Sequence, residues 1–78
     1  MAKKVIIYST PTCPYCVRAK QFLNENNIPF ENFDVSENSA KGEEMIKKSG
    51  QMGVPVLDIE GEIIVGFDKE RIKQALGL

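Results

Sequence analysis

The chain's two cysteines lie close together in the motif Cys13-Pro14-Tyr15-Cys16, shortly after a β-branched run at residues 5–8. A short run of this kind predicts a buried strand. Proline is well tolerated at the first position of a helix, because the N–H that it lacks would have no intrahelical partner there. These signals predict that a strand leads into a helix at the motif, with Cys13 as the N-cap residue and Cys16 one turn further along the same face.

The first half of the sequence predicts a strand-helix-strand unit. Apolar residues recur at helical spacing after the motif, and Asn26-Asn27 followed by Ile28-Pro29 ends the helix. Residues 30–35 are rich in aromatic and apolar side chains and predict a second strand. The two strands of such a unit are expected to be parallel, with a right-handed crossover.

The second half predicts a helix, a hairpin and a last helix. The helix begins at a cap among residues 36–39 and stops at Gly50. Strands are expected at residues 54–59 and 63–65 around the turn Glu60-Gly61, and Asp68 is a natural N-cap for the final helix. That helix is expected to bury three apolar residues, Ile72, Ala75 and Leu76. The whole chain therefore predicts an α/β fold, βαβαββα, with a four-stranded mixed sheet and helices on both faces.

Length and charge bound the possible functions. The chain has 78 residues, which favours one domain over residues 1–78, and 42% of them are hydrophobic, as in globular proteins. Ten basic and eleven acidic residues give no basic excess, so nucleic-acid binding is not expected. Because no apolar run approaches the roughly 20 residues of a membrane span, and the run after the charged residues 1–4 is too short for a signal peptide, a cytoplasmic location is expected. The chain is also expected to be a monomer.

The spacing of the two cysteines favours thiol–disulfide exchange. The attacking species in this reaction is the thiolate, and free N–H groups at a helix N-terminus stabilise an anion at the N-cap. We therefore expect Cys13 to attack a disulfide and Cys16, inside the helix, to resolve the resulting mixed disulfide. Tyr15 is expected to be exposed and to offer an aromatic wall to a bound thiol compound.

Two other interpretations of the cysteine pair compete with this one. The pair could be inert core residues, although structural cysteines have no reason to flank a proline at a helix start. It could also bind metal, but the chain has no histidine, and two thiolates cannot complete a tetrahedral zinc site. Two chains together could supply four cysteines to zinc or to an iron–sulfur cluster.

The sequence resembles the glutaredoxins in three features: the cysteine motif, the order of the predicted elements, and the segment Gly53-Val54-Pro55-Val56. The resemblance extends over essentially the whole chain and is strongest at residues 8–20, 43–55 and 66–68. It implies a thioredoxin fold and an enzyme that reduces protein disulfides and glutathione mixed disulfides. It also implies glutathione as co-substrate, with no bound cofactor and no metal.

The resemblance further implies a glutathione site. Pro55 would be cis and lie beside the cysteines, and the Val54 backbone would pair with the cysteinyl part of glutathione like an added strand. The site would also include Tyr15, and Gly66, Phe67 and Asp68 would bring the start of the last helix to a carboxylate of glutathione. The residues alone leave simpler alternatives, in which Pro55 merely starts a strand and Asp68 merely caps a helix.

The sequence departs from the glutaredoxin pattern near this site. Thr10 stands where many members have lysine, Gly53 replaces a threonine, and residues 65–69 carry one glycine and one acidic residue where two of each are usual. Gly66-Phe67 resembles proteins of this kind that accept electrons from thioredoxin reductase, a flavoprotein. That reductase is therefore an alternative electron donor.

Overall fold

The computed structural model describes residues 4–78, so most of the charged stretch at residues 1–4 lies outside the described residues. It contains four strands and three helices in the predicted order. The strands are β1 (Val5–Ser9), β2 (Glu31–Asp34), β3 (Val56–Ile59) and β4 (Glu62–Val65). The helices are α1 (Pro14–Glu25), α2 (Ser39–Ser49) and α3 (Lys69–Leu76).

The four strands form one mixed sheet in the order β2-β1-β3-β4. Strands β1 and β2 are parallel, with Tyr8 paired to Phe33, as the strand-helix-strand unit predicted. Strand β3 runs antiparallel to β1, with Ile7 opposite Leu57, and β4 completes the hairpin. This is the thioredoxin fold, and its central strand β1 leads directly to the cysteine motif.

Side chains that alternate along the strands bury apolar residues on both faces of the sheet. One face packs against α1 and α3 through ten buried residues, Val5, Ile7, Ala19, Phe22, Leu23, Leu57, Ile59, Ile64, Ile72 and Ala75. The other face packs against α2 through Tyr8, Met45 and Val56. Helices therefore cover both faces, as predicted.

Local sequence signals account for where the helices begin and end. Cys13, Asn38 and Asp68 are the N-cap residues, and each accepts a hydrogen bond through its side chain from an N–H in the first turn. Gly50 ends α2 with a left-handed φ of 73°, a conformation that glycine adopts without steric cost.

Three predicted details differ from the structure. Strand β3 begins at Val56 rather than at residue 54, since Pro55 has no N–H to donate to a ladder. Strand β2 covers only Glu31–Asp34, the four residues that pair with Ile6 to Ser9 of β1, rather than residues 30–35. Leu76 is only partly buried, at the margin of the core.

Over residues 4–78, no helix is long and apolar enough to cross a bilayer.

Candidate active site

Cys13 occupies the N-cap of α1, as predicted. Its backbone is extended, with φ −94° and ψ 111°, and Pro14 is the first helical residue. The Cys13 Sγ accepts a hydrogen bond from the backbone N–H of Cys16 at 3.2 Å. The Cys13 carbonyl already accepts from Val17 N–H, the first bond of the helix. The sulfur of Cys13 therefore lies over the free N–H groups at the positive end of α1, where an anion is stabilised.

The two cysteines differ sharply in exposure. Cys13 is half-buried, whereas Cys16, in the first turn of α1, is fully buried. Burial, followed by the hydrogen bond with Cys13, raises the pKa of the Cys16 thiol to about 11. Cys16 is consequently a protonated thiol at neutral pH, and Cys13 is the sulfur that a disulfide can reach from solvent.

The segment before β3 lies against Cys13. The Val54–Pro55 peptide bond is cis, which confirms the expectation from the resemblance. The carbonyl oxygen of Val54 is 3.7 Å from Cys13 Sγ, within reach of a weak S–H···O hydrogen bond. Gly66 N–H donates to the Pro55 carbonyl at 2.8 Å, so the loop after β4 is tied to the same segment.

The side chains of the other three predicted site residues, Tyr15, Phe67 and Asp68, contact residues other than the two cysteines. Tyr15 is 57% exposed, and the Arg18 guanidinium lies 5.5 Å from the centre of its ring. Phe67 packs edge-on against Phe22 in the core, with 6.1 Å between ring centres. Asp68 accepts the N–H of Arg71 at 3.3 Å, as expected of an N-cap. Across residues 4–78, the hydrogen bonds and ring contacts of these three side chains do not include either cysteine.

The sequence model of the Glutaredoxin family matches residues 5–64, more than half of the chain. The chain belongs to the glutaredoxin family. Glutaredoxin 3 of Escherichia coli is 45% identical over 64 residues, which cover 82% of this chain and 77% of that protein. A glutaredoxin-like 8.6 kDa protein in a rubredoxin operon of Clostridium pasteurianum is 47% identical over 70 residues, covering 90% of this chain and 93% of that protein.

Solved structures agree with this family. A crystal structure of a glutaredoxin from Archaeoglobus fulgidus superposes with a TM-score of 0.84 at 29% identity, covering 96% of this chain and 86% of that one. The family match, this structural similarity and the pair of one half-buried and one buried cysteine together identify the protein as a thiol–disulfide oxidoreductase.

Acidic and thiol side chains do not gather into a metal centre in the part of this glutaredoxin that the structure describes. No group of three or more histidine, cysteine, aspartate or glutamate residues lies close enough together, within residues 4–78, to hold an ion. The thiol donors in this part of the chain are Cys13 and Cys16.

One residue beside the site was missed by sequence reasoning. The side chain of Gln51, in the loop between α2 and β3, is hydrogen-bonded to the backbone of Gly53, directly before Val54. The sequence did contain a signal, since Gly53 is the position at which this glutaredoxin departs from the threonine of the family pattern.

Proposed function

We propose that this glutaredoxin is a cytoplasmic, glutathione-dependent reductase of protein disulfides and glutathione mixed disulfides. The observation that carries the proposal is the position of Cys13 Sγ, which lies 3.2 Å from the Cys16 N–H and 3.7 Å from the Val54 carbonyl oxygen. A reachable sulfur is thus placed between an anion-stabilising helix start and a stretch of backbone to which a peptide substrate can pair.

The reaction proceeds by two exchanges. The Cys13 thiolate attacks one sulfur of a protein disulfide, the S–S bond breaks, and the other sulfur leaves as a thiolate that takes up a proton. Cys16 then loses its proton and attacks Cys13 Sγ, which releases the second substrate thiol and leaves a Cys13–Cys16 disulfide. Two molecules of glutathione reduce that disulfide and are themselves oxidised to glutathione disulfide.

A glutathione mixed disulfide needs only Cys13. Attack by the Cys13 thiolate on the glutathione sulfur releases the protein thiol and leaves a Cys13–glutathione disulfide. A second glutathione, as its thiolate, attacks the glutathione sulfur of that disulfide, which releases glutathione disulfide and regenerates the Cys13 thiolate. In this complex we place the cysteinyl backbone of glutathione against Val54, with Pro55 and Tyr15 beside it. A carboxylate of the ligand would lie at Gly66, Phe67 and Asp68, where α3 begins.

A second candidate is the same dithiol chemistry with thioredoxin reductase as the electron donor. Thr10 and Gly53 favour it, because both are departures near the proposed glutathione site. Thr10 supplies no positive charge where many glutaredoxins have a lysine that contacts glutathione.

A coupled assay separates these candidates. Reduced glutathione, glutathione reductase, NADPH and the mixed disulfide of glutathione and 2-mercaptoethanol are supplied, and NADPH oxidation is followed. Turnover well above the protein-free rate supports the proposal. Absence of turnover, with NADPH and thioredoxin reductase still reducing the Cys13–Cys16 disulfide, would overturn glutathione dependence and favour the second candidate. Visible absorbance of the purified protein would instead indicate a dimer that binds a cluster.

A further inference from the structure

The side-chain amide of Gln51 pairs with both polar groups of the Gly53 backbone. Gly53 N–H donates to Gln51 Oε1, and Gln51 Nε2 donates to the Gly53 carbonyl at 3.0 Å. A side-chain amide has one acceptor and two donors, so it can satisfy an N–H and a C=O of one residue together, as a neighbouring strand would. Gly53 immediately precedes Val54, whose carbonyl oxygen lies beside Cys13 Sγ.

Gln51 is itself held by the last turn of α2. Its Nε2 lies 3.3 Å from Ser49 Oγ, and that hydroxyl donates to the Met45 carbonyl at 2.7 Å. Met45 is buried against the sheet. A continuous series of hydrogen bonds therefore runs from the helix through Gln51 to the residue before Val54.

Apolar packing holds this loop at its far end, at Val54 and the buried Pro55, but not at residues 52 and 53. Met52 is 77% exposed and Gly53 has no side chain to bury. Val54 is partly buried against the α2 face of the sheet. Gln51 is joined to Gly53 twice, so its amide tethers the loop just before the substrate-pairing residue, where Met52 and Gly53 bury no apolar side chain.

Glycine at position 53 leaves room for this contact. A Cβ added to Gly53 would lie 2.7 Å from Gln51 Oε1, closer than real Cβ contacts come, and the φ of Gly53 is not in the left-handed region. Any side chain at this position would therefore displace the Gln51 amide, whereas the backbone itself would accept alanine.

We propose that Gln51 and Gly53 form a matched pair in which the Gln51 amide is a positioning group for the Val54 backbone. The pair takes no part in the chemistry of the sulfurs, and it holds the edge against which the substrate backbone lies. This inference rests on the proposed pairing of the substrate with Val54.

The test is a double-mutant cycle of Gln51→Met, which keeps the length of the side chain without its hydrogen bonds, and Gly53→Ala. Each single variant is expected to raise the KM for the mixed disulfide of glutathione and 2-mercaptoethanol by about threefold to tenfold, with kcat nearly unchanged. The double variant is expected to match the single ones, since both changes break the same contact. Gln51→Glu, which keeps the acceptor for Gly53 N–H, is expected to lie between wild type and Gln51→Met.

Gln74→Met is the matched control, since Gln74 is an exposed residue on α3. The rate of iodoacetamide reaction with Cys13 and the urea unfolding midpoint are measured for every variant. The proposal would be overturned if Gln51→Met left the KM unchanged, or if the effects of the two substitutions multiplied in the double variant. It would also be overturned if the loss of activity in each variant simply followed its unfolded fraction.

The wild-type assay separates failure of this inference from failure of the proposed function. If the wild type does not turn over the glutathione substrate, the same cycle is measured with a protein disulfide and thioredoxin reductase. A KM effect there supports the positioning role without glutathione, and its absence overturns it.

Discussion

The backbone N–H of Cys16 donates to the Sγ of Cys13 at 3.2 Å, which joins the two sulfur-bearing residues through the first turn of α1. The same turn leaves Cys13 half-buried and Cys16 fully buried. The two thiols therefore differ in access from solvent, and burial raises the pKa of the Cys16 thiol, which suits Cys16 to the second, resolving step.

Substitution of each cysteine should separate the two substrate classes. Cys13→Ser is expected to reduce turnover of both protein disulfides and glutathione mixed disulfides to the protein-free rate, because a hydroxyl does not replace the thiolate. Cys16→Ser is expected to keep most of the activity with glutathione mixed disulfides and to lose reduction of protein disulfides, which need the second thiol. Residual activity of Cys13→Ser with either substrate would contradict the assignment of Cys13 as the attacking residue.

Alkylation of the reduced, folded protein should depend on pH differently at the two cysteines. With a pKa of about 11, only about one part in 10⁴ of Cys16 is thiolate at pH 7, and its side chain is buried. Iodoacetamide at pH 7 is therefore expected to give one adduct, on Cys13, as measured by mass spectrometry of peptides. The raised pKa means that Cys16 modification should increase about tenfold per pH unit towards pH 11.

The control for this experiment is the protein in concentrated urea, in which both cysteines should react. Rapid modification of Cys16 in the folded protein at pH 7 would show that its burial does not hold in solution.

Lys48 on α2 joins this helix to two strands. Its Nζ lies 2.7 Å from the Asp58 carboxylate and 2.9 Å from the Tyr8 hydroxyl, and the Tyr8 hydroxyl also donates to Glu44. Lys48→Met is expected to lower the free energy of unfolding by about 0.5–1 kcal/mol, because the Asp58 carboxylate and the Tyr8 hydroxyl lose the cation that they share. The measurement is the urea unfolding midpoint at pH 7.

Lys47→Met is the matched control for Lys48, since Lys47 is exposed on the same helix. It is expected to change the free energy of unfolding by less than about 0.5 kcal/mol. Equal effects of the two substitutions would show that the Lys48 network contributes nothing specific to stability.

Asp68 combines a cap with a place in the proposed glutathione site. Asp68→Ala is expected to lower the free energy of unfolding by about 1 kcal/mol, because the N–H of Arg71 loses its acceptor. Asp68→Asn should restore most of that loss, since asparagine caps nearly as well as aspartate. A KM for the glutathione substrate that differs from wild type in Asp68→Asn, at unchanged stability, would support contact between residue 68 and the ligand.

The local parts of the fold could be predicted from residues near one another in sequence. Pro14 after Cys13 predicted the start of α1, and Gly50 predicted the end of α2, because capping and backbone preferences act within a few residues. The bounds of β3 were less accurate, since the missing N–H of Pro55 shortens the pairing only in the context of the sheet.

The sequence by itself determined the order of the elements, the caps and the presence of two cysteines with unequal burial, all of which follow from local geometry. The tertiary structure decided what surrounds Cys13. The Val54 carbonyl is 41 residues from Cys13 in sequence, and it lies beside the Cys13 sulfur only because the folded sheet brings the start of α1 and the segment before β3 together. Contacts of this kind depend on how the sheet brings distant segments together, and no pattern of neighbouring residues encodes that distance.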